Sequence, residues 1–402
     1  MTSIEASRIR ALLDSRGNPT VEVELRSGSH VARFATPSGA STGVHEAQAF
    51  PAGGVDEGIR TFRTEVGPGL RGRSVEDQAG LDAWLRELDG SRDFSRIGGN
   101  VAVGVSLANA RLAAAVAGQP LYRFLGGPAG RLPHPLGNVI GGGRHAIGGT
   151  TIQEYLVVSQ GRTMSQSVFA NARVHHLVRD ALAKKRPGEP LGRGDEGAWI
   201  GPLGDEEAFA LLVAVCREAE QEVGFPVRPA VDLAASEFFH DGSYRYRDRV
   251  RTREEQIDFV EQLVREHDLF SVEDPFDQED FDAFAELTKR VGGRCKIIGD
   301  DLFATDVERL RRGIERGACN AILIKPNQIG TLSDTRAAVD LAHRSGYATV
   351  MSHRSGETTD DAIAHLAVGF GCLGIKTGAV GGERIAKLNE LIRIEEELQE
   401  GT

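Results

Sequence analysis

Over residues 8–35 apolar and polar positions alternate with period two. RIRALL, VEVEL and VARFA are separated by turn-forming segments at 14–19 and 27–29, which predicts three strands in a meander. The period then changes to that of a helix. Residues 75–88 place Leu81, Trp84, Leu85 and Leu88 on one face, and 100–117 is apolar almost all round until Gly118 and Pro120 stop it. A helix of the second kind is expected between packed layers. Together these elements predict an α+β domain over residues 1–135.

From residue 136 the pattern becomes an apolar run, a polar tip and an amphipathic segment, repeated. NVIGGG leads to Arg144 and His145, TIQEYLVV carries Glu154 inside a strand-like run, and a helix over 164–186 precedes Gly194-Asp195-Glu196-Gly197, with another over 205–223. VRPAVD then ends in Asp232, DLFSVED in Glu273 and Asp274, KIIGDD in Asp300 and Asp301, AILIK in Lys325, YATVMSHRS in His353, Arg354 and Ser355, and CLGIKTG in Lys376. Capping boxes pairing Thr252 with Glu255 and Thr305 with Glu308 mark two helix starts. Successive tips from Asp232 lie 41, 27, 25, 28 and 23 residues apart, room for one strand and one helix each. The expected fold class is α/β: a (β/α)8-type barrel over 136–402, behind the N-terminal α+β domain, with its chemistry at the carboxyl ends of the strands.

Composition narrows the partners. The 402 residues are 40% apolar and 26% charged, and a net charge of −11 spread along the chain argues against nucleic acid and anionic membranes. A phosphorylated substrate would need local basic groups or a metal. No apolar run is long enough for a membrane span, and MTSIEASRIR lacks the layout of a signal peptide, so a cytoplasmic location is expected. Cys216, Cys295, Cys319 and Cys372 are scattered, which favours buried thiols over disulfides or zinc. Of 47 basic residues only seven are lysines. Arginine keeps its proton, whereas a desolvated lysine can release one, so Lys325 at a strand end is informative.

In a barrel the tips converge. Asp232, Glu273 and Asp300 would bring three carboxylates together, and three oxygen ligands on separate tips suit Mg²⁺. Lys325, His353, Arg354 and Lys376 form a basic ring. Crowded cations are expected to depress the pKa values of Lys325 and Lys376 and make a neutral amine available as a base. Arg354 beside Ser355 offers a guanidinium and a hydroxyl to a phosphate or carboxylate. Glu154 and Glu196 are further carboxylates able to act as acids. A metal, a lysine base and a spare acid imply abstraction of a proton α to a carboxylate with loss of a β-hydroxyl. The loop Ser38-Gly39-Ala40-Ser41-Thr42-Gly43 reads either as a surface turn or as a lid.

DSRGNPTVEVE, PSGASTG, GVSLANA, IQE, GDEG, ASEF, SVEDPF, GDDLF, LIKPNQIGTL, SHRSGET, IKTGA and LNELIRIEEEL, in this order over nearly the whole chain, resemble the enolase family. PLGNVIGGG, GDEGAW and LIKPNQIGT look like its archaeal type, while AFPAGGVDEG, GGGRHAIGG and Ala198 after GDEG depart from the commoner pattern. The general pairing of a Lys or His base with Mg²⁺ on an enediolate is established for that superfamily. The resemblance implies a glycolytic lyase that dehydrates 2-phosphoglycerate reversibly to phosphoenolpyruvate. It implies a first Mg²⁺ on Asp232, Glu273 and Asp300, and a second that arrives with substrate on Ser41 in the lid. Lys325 would take the C2 proton, and Glu196, assisted by Glu154, would protonate the leaving hydroxyl. Lys376 would contact the substrate carboxylate, Arg354 and Ser355 the phosphate, with His145 and His353 on the substrate side. It also implies a homodimer, and a barrel that starts with two strands before its first helices.

The altered lid segments keep open an alternative, a paralogue acting on a related phosphonate or acid-sugar substrate. A Schiff-base aldolase would not need the three carboxylates, and a non-catalytic binding protein would not need Lys325 and Glu196 together. Elsewhere plainer readings hold: His175, His176, His343 and His365 are helix residues with packing or surface roles, the acidic run 395–397 is a solvated face, and GGPAG at 126–130 is a linker.

Overall fold

A computed structural model describes residues 2–39, 43–127, 132–185 and 187–400. At the amino end, strands Ala6–Leu13, Pro19–Ser27 and His30–Ala35 form an antiparallel meander. Period-two alternation puts Val21, Val23 and Leu25 on its buried face, with Phe34 opposite Val23 in register. On the other face Glu24 pairs with Arg10 at 2.8 Å and Arg33 at 2.7 Å, opposite charges on neighbouring strands.

Helix Gly99–Val116 lies across the buried face. It approaches closely enough that a Cβ on Gly104 would stand 2.8 Å from Val23 Cγ2. By length and composition alone this helix could cross a membrane, yet 83% of it is buried inside the fold, which accounts for its apolarity. Helix Gln78–Asp89 packs on its other side, begun by Asp77, whose side chain accepts from Gly80 N. A helical stretch over 54–70, for which no element is predicted from the sequence, completes the domain.

Eight strands close a barrel in chain order: His134–Gly141, Glu154–Ser159, Val227–Asp232, Ser271–Glu273, Lys296–Gly299, Ala321–Ile324, Ala348–Ser352 and Gly374–Lys376, the last pairing with the first. Two strands precede helices Met164–Lys185 and Asp205–Val223, and Glu154–Ser159 runs antiparallel to both neighbours. The lumen is filled by Leu136, Leu156, Val158, Ala230, Ile298, Ala321, Leu323 and Val350, so the barrel is a packed core open to chemistry only at its mouth.

Thr252 and Glu255 form the expected capping box. Thr305 does not: Asp306 caps helix Val307–Arg316 by accepting from Glu308 N and Arg309 N, while Thr305, at φ 56°, donates its hydroxyl to Gln328 Oε1. After Asp232 the chain makes an unforeseen excursion, a turn at Ala235–Phe238 and a small sheet of Phe239–His240, Ser243–Arg245 and Val250–Arg251, held by an aromatic cluster of Phe238, Phe239, Tyr244 and Tyr246. The four cysteines are buried free thiols.

Candidate active site

Strand Ala321–Ile324 is buried throughout, and Lys325 continues it in extended conformation, φ −127° and ψ 102°, before Pro326 opens a short helix. The side chain therefore leaves from the strand's carboxyl end. Lys325 Nζ lies 2.5 Å from Asp300 Oδ2, and Gln328 Nε2 donates to Asp300 Oδ1 at 3.0 Å. Asp274, from the preceding tip and at φ 39°, accepts the N–H of Asp300 at 2.9 Å and of Asp301 at 2.8 Å, which fixes the direction of both side chains.

Lys376 sits deeper. Its Nζ lies 2.9 Å from Asp232 Oδ2, 2.8 Å from Glu273 Oε1 and 3.1 Å from Glu154 Oε1. Register explains the meeting: Asp232 pairs with both Glu273 and Glu154 on its neighbouring strands. Because Glu154 opens an antiparallel strand, its amino end reaches the mouth that the other strands reach with their carboxyl ends.

The expectation of depressed lysines is corrected here. Burial favours the neutral amine, but Asp300 outweighs it and raises Lys325, and Asp232, Glu154 and Glu273 raise Lys376 well above the ordinary range. Negative charge still exceeds positive. Burial and the nearby Asp232 push the carboxyl of Glu273 well above its usual range, and Glu273 Oε2 is buried without a hydrogen-bond partner. An orphaned carboxylate oxygen beside further carboxylates fits a divalent cation, for which Asp232, Glu273 and Asp300 are the expected donors. Asp300 also stands within a second acidic group, with Asp274 and Asp301, whose oxygens lie within 4.8 Å of one another.

The third group joins Glu154, Glu196 and His145, whose potential donor atoms also lie within 4.8 Å of one another. His145 Nδ1 is 3.4 Å from Glu154 Oε1 and 3.5 Å from Glu196 Oε1, and His353 Nε2 is 3.2 Å from Glu196 Oε1. Asn138 Nδ2 donates to Glu196 Oε2 at 3.2 Å. The two acids diverge. Burial and the charge of Glu196 push Glu154 up to about 7, whereas Glu196, although burial opposes it, is held well below the carboxylate range by His353 and His145. Of the two, Glu154 is the carboxyl that takes up a proton more readily in this structure. Burial drives His353 down to about 4, whereas in His145 the two carboxylates overcome burial and raise it.

Arg354, 2% exposed at its side chain, donates to Asn327 Oδ1 at 2.9 Å and pairs with Glu46 Oε2 at 2.8 Å. Glu46 also accepts the N–H of Gly43 at 3.0 Å, tying the root of the 38–43 loop to that guanidinium. Ser355 follows Arg354 on the cavity wall. One cavity is lined by His145, Glu154, Glu196, Asp232, Asp300, Lys325, His353, Arg354, Ser355 and Lys376, together with Gly39, Gln153 and Ser352. Glu273 lies directly behind Lys376. Ser41 lies outside the described residues.

Sequence reading missed Glu46, Asn138, Gln153, Asn327, Gln328 and Arg384. Gln328 and Asn327 lay next to the lysine motif and could have been suspected, whereas Arg384, one arginine among many on an amphipathic helix, carried no signal. His175, assigned a packing role, is fully buried and donates from Nε2 to Gly197 O at 2.9 Å, so its packing supports the loop of Glu196.

Comparison with known proteins agrees with this geometry. Residues 4–125 match the family model "Enolase, N-terminal domain", and 129–402 match "Enolase, C-terminal TIM barrel domain". The chain is 51% identical to an enolase of Methanothermobacter thermautotrophicus, covering 98% of this chain and 97% of the relative. It is 53% identical to an enolase of Natronomonas pharaonis, covering 98% and 99%, and 52% identical to one of Halobacterium salinarum, covering 99% and 100%. With both family models matched and about half of all positions shared over the full length, the chain belongs to the enolase family.

Proposed function

We propose that the protein catalyses the reversible dehydration of 2-phosphoglycerate to phosphoenolpyruvate, as a metal-dependent hydro-lyase. The observation that carries this reading is one cavity lined by Lys325, Lys376, Asp232, Asp300 and the Glu154–Glu196 pair, with Glu273 in contact with Lys376 at 2.8 Å. Asp232, Glu273 and Asp300 would hold a first Mg²⁺, and Ser41 a second that binds with substrate. When bound, these ions supply the positive charge needed by a substrate carboxylate that becomes doubly negative as C2 loses its proton.

Lys325 is the base. Were Asp300 turned to metal binding, burial and the neighbouring cations Arg354 and Lys376 would favour the neutral amine, opposed by the charge of Glu46. Lys376 remains charged against the substrate carboxylate. Arg354 and Ser355 hold the phosphate, and Asn327 keeps the guanidinium plane aligned for it. The Glu154–Glu196 pair holds one proton near neutral pH and delivers it to the departing C3 hydroxyl, with His145 and His353 positioning both carboxylates and the substrate. The alternative phosphonate or acid-sugar substrate gains no support from relatives about 50% identical over the whole chain.

We also propose a division into a lid domain, 1–135, and a catalytic barrel, 136–402, a cytoplasmic location, and a homodimer that sedimentation would test. The central experiment follows the absorbance of the enol phosphate formed from 2-phosphoglycerate with and without Mg²⁺. Turnover that requires Mg²⁺ is expected, and an inert wild-type protein sinks the assignment.

A further inference from the structure

Arg384 lies on helix Gly382–Glu400 and does not line the cavity, yet its side chain is fully buried among catalytic loops. Its Nη1 donates to His353 Nδ1 at 2.8 Å and to Arg354 O at 2.6 Å, and its Nη2 donates to Ser355 O at 2.7 Å and Asp195 O at 3.1 Å. Glu383 Oε1 stands 3.1 Å from its Nε. One guanidinium thus spans the loop of Glu196 and the loop of His353, Arg354 and Ser355.

A guanidinium only donates, so the atom it meets must offer a lone pair. Nδ1 of His353 therefore carries no proton. The single N–H of the neutral ring lies at Nε2, 3.2 Å from Glu196 Oε1. We infer that Arg384 is a positioning residue: it fixes the tautomer of His353 so that the ring presents its Nε2–H to Glu196.

The charged groups facing His353 allow this. Glu196 approaches from the 194–197 loop, Arg384 from the last helix and Glu357 from the segment after the ring's own strand, while His353 N bonds Lys376 O on the adjacent strand. With the other tautomer, Nδ1–H would meet the Nη1–H of Arg384 donor to donor and the lone pair of Nε2 would face a carboxylate. Glu196 could then relieve the repulsion only by taking up a proton, and the separation of roles between Glu154 and Glu196 would be lost. Burial, which drives His353 down to about 4, keeps the ring from gaining a second proton.

The test reads the tautomer directly. Histidine in the full-length protein is labelled with ¹⁵N, His353 is assigned by the signals lost in His353→Gln, and nitrogen–proton couplings report which nitrogen is protonated. Wild type is expected as Nε2–H. Arg384→Met is expected to populate Nδ1–H and to lose on the order of 100-fold in kcat, the low end for acid–base assistance, with KM moving less than about threefold. Arg384→Lys, which keeps one donor, is expected to retain Nε2–H and to recover about tenfold of that loss. A wild-type ring protonated at Nδ1 overturns the inference. So does an unchanged tautomer in folded Arg384→Met whatever its activity, because the guanidinium would then only staple two loops. Should Arg384→Met fail to fold, Arg384→Lys decides: Nε2–H sustains the inference and Nδ1–H overturns it. The kinetic arm rests on the proposed dehydration, whereas the tautomer arm does not, so an enzyme inert with 2-phosphoglycerate would leave the role of Arg384 separately judged.

Discussion

Lys325 and Lys376 leave the same barrel mouth two strands apart, and their surroundings differ in one respect that separates their roles. Lys325 faces a single carboxylate, Asp300 at 2.5 Å, while Lys376 faces three, at 2.8, 2.9 and 3.1 Å. A general base must lose its proton and regain it, so its counter-charge has to be removable. One carboxylate that can turn to a metal meets that need. Under the proposed metal assignment Asp232 and Glu273 would turn to the ion as well, and Glu154, which is no metal ligand, would stay beside Lys376 and favour its ammonium form. Position at a strand tip is common to both, and the number of acidic partners assigns the chemistry.

Replacing each lysine in turn gives the sharpest test of this contrast. Lys325→Ala should lose on the order of 10⁴-fold in kcat, the upper range for a lost base, and should melt closer to wild type than Lys376→Met, because one carboxylate and not three loses its cation and Gln328 still holds it. Lys376→Met should also inactivate, but its larger signature is in stability. Removing the one cation among buried carboxylates is expected to cost about 3–5 kcal/mol in urea unfolding without divalent ions, partly restored by Mg²⁺. Equal stability losses in the two variants would erase the distinction drawn between them. Metal removal probes the same charge balance in the wild type. Chelation should abolish turnover, and Mg²⁺ at about 100 times its Kd should raise unfolding stability by about 2.7 kcal/mol. A melting temperature unaffected by Mg²⁺ would break the assignment of the carboxylate cluster.

The strand tips were legible because parallel strands in an α/β barrel end in polar residues after an apolar run, and each run with its helix fills a repeat of 23 to 41 residues. Asp232, Glu273, Asp300, Lys325, His353 and Lys376 could be found that way. Glu154 was visible only as an acid within an apolar run. Its place at the mouth depends on the strand Glu154–Ser159 running backwards, and register with Asp232, not periodicity, puts it there. The expectation of neutral lysines failed for a different reason. Sequence revealed the cations crowding the mouth but not the contacts with Asp300, Glu273 and Glu154 that outweigh them. The Thr305 cap failed because Thr305 and Asp306 compete for one position, and tertiary demand for the Thr305 hydroxyl at Gln328 decided it. Arg384 was invisible because its contacts are made to loops drawn from two distant parts of the chain.

The second wall of the cavity repeats the contrast with carboxylates. Glu154 and Glu196 share His145, yet burial and the charge of Glu196 bring Glu154 to about 7 while His353 and His145 keep Glu196 ionised. If the pair's proton is the one given to the leaving hydroxyl, kcat for dehydration should be level below pH 7 and fall about tenfold per pH unit above it. Glu154→Gln should remove that limb and lower the plateau, whereas Glu196→Gln should lower the rate without a limb of its own near neutrality. The linkage has a defined sign: the folded value of Glu154 lies above its ordinary 4.5, so its contribution to stability is full below pH 4.5 and is lost as pH rises through about 7. Stability should therefore decline between pH 4.5 and about 7 and level off where the dehydration rate begins to fall. A rate that stays flat from pH 6 to 9 while Glu154→Gln remains slow would show that Glu154 positions its neighbour and does not carry the proton.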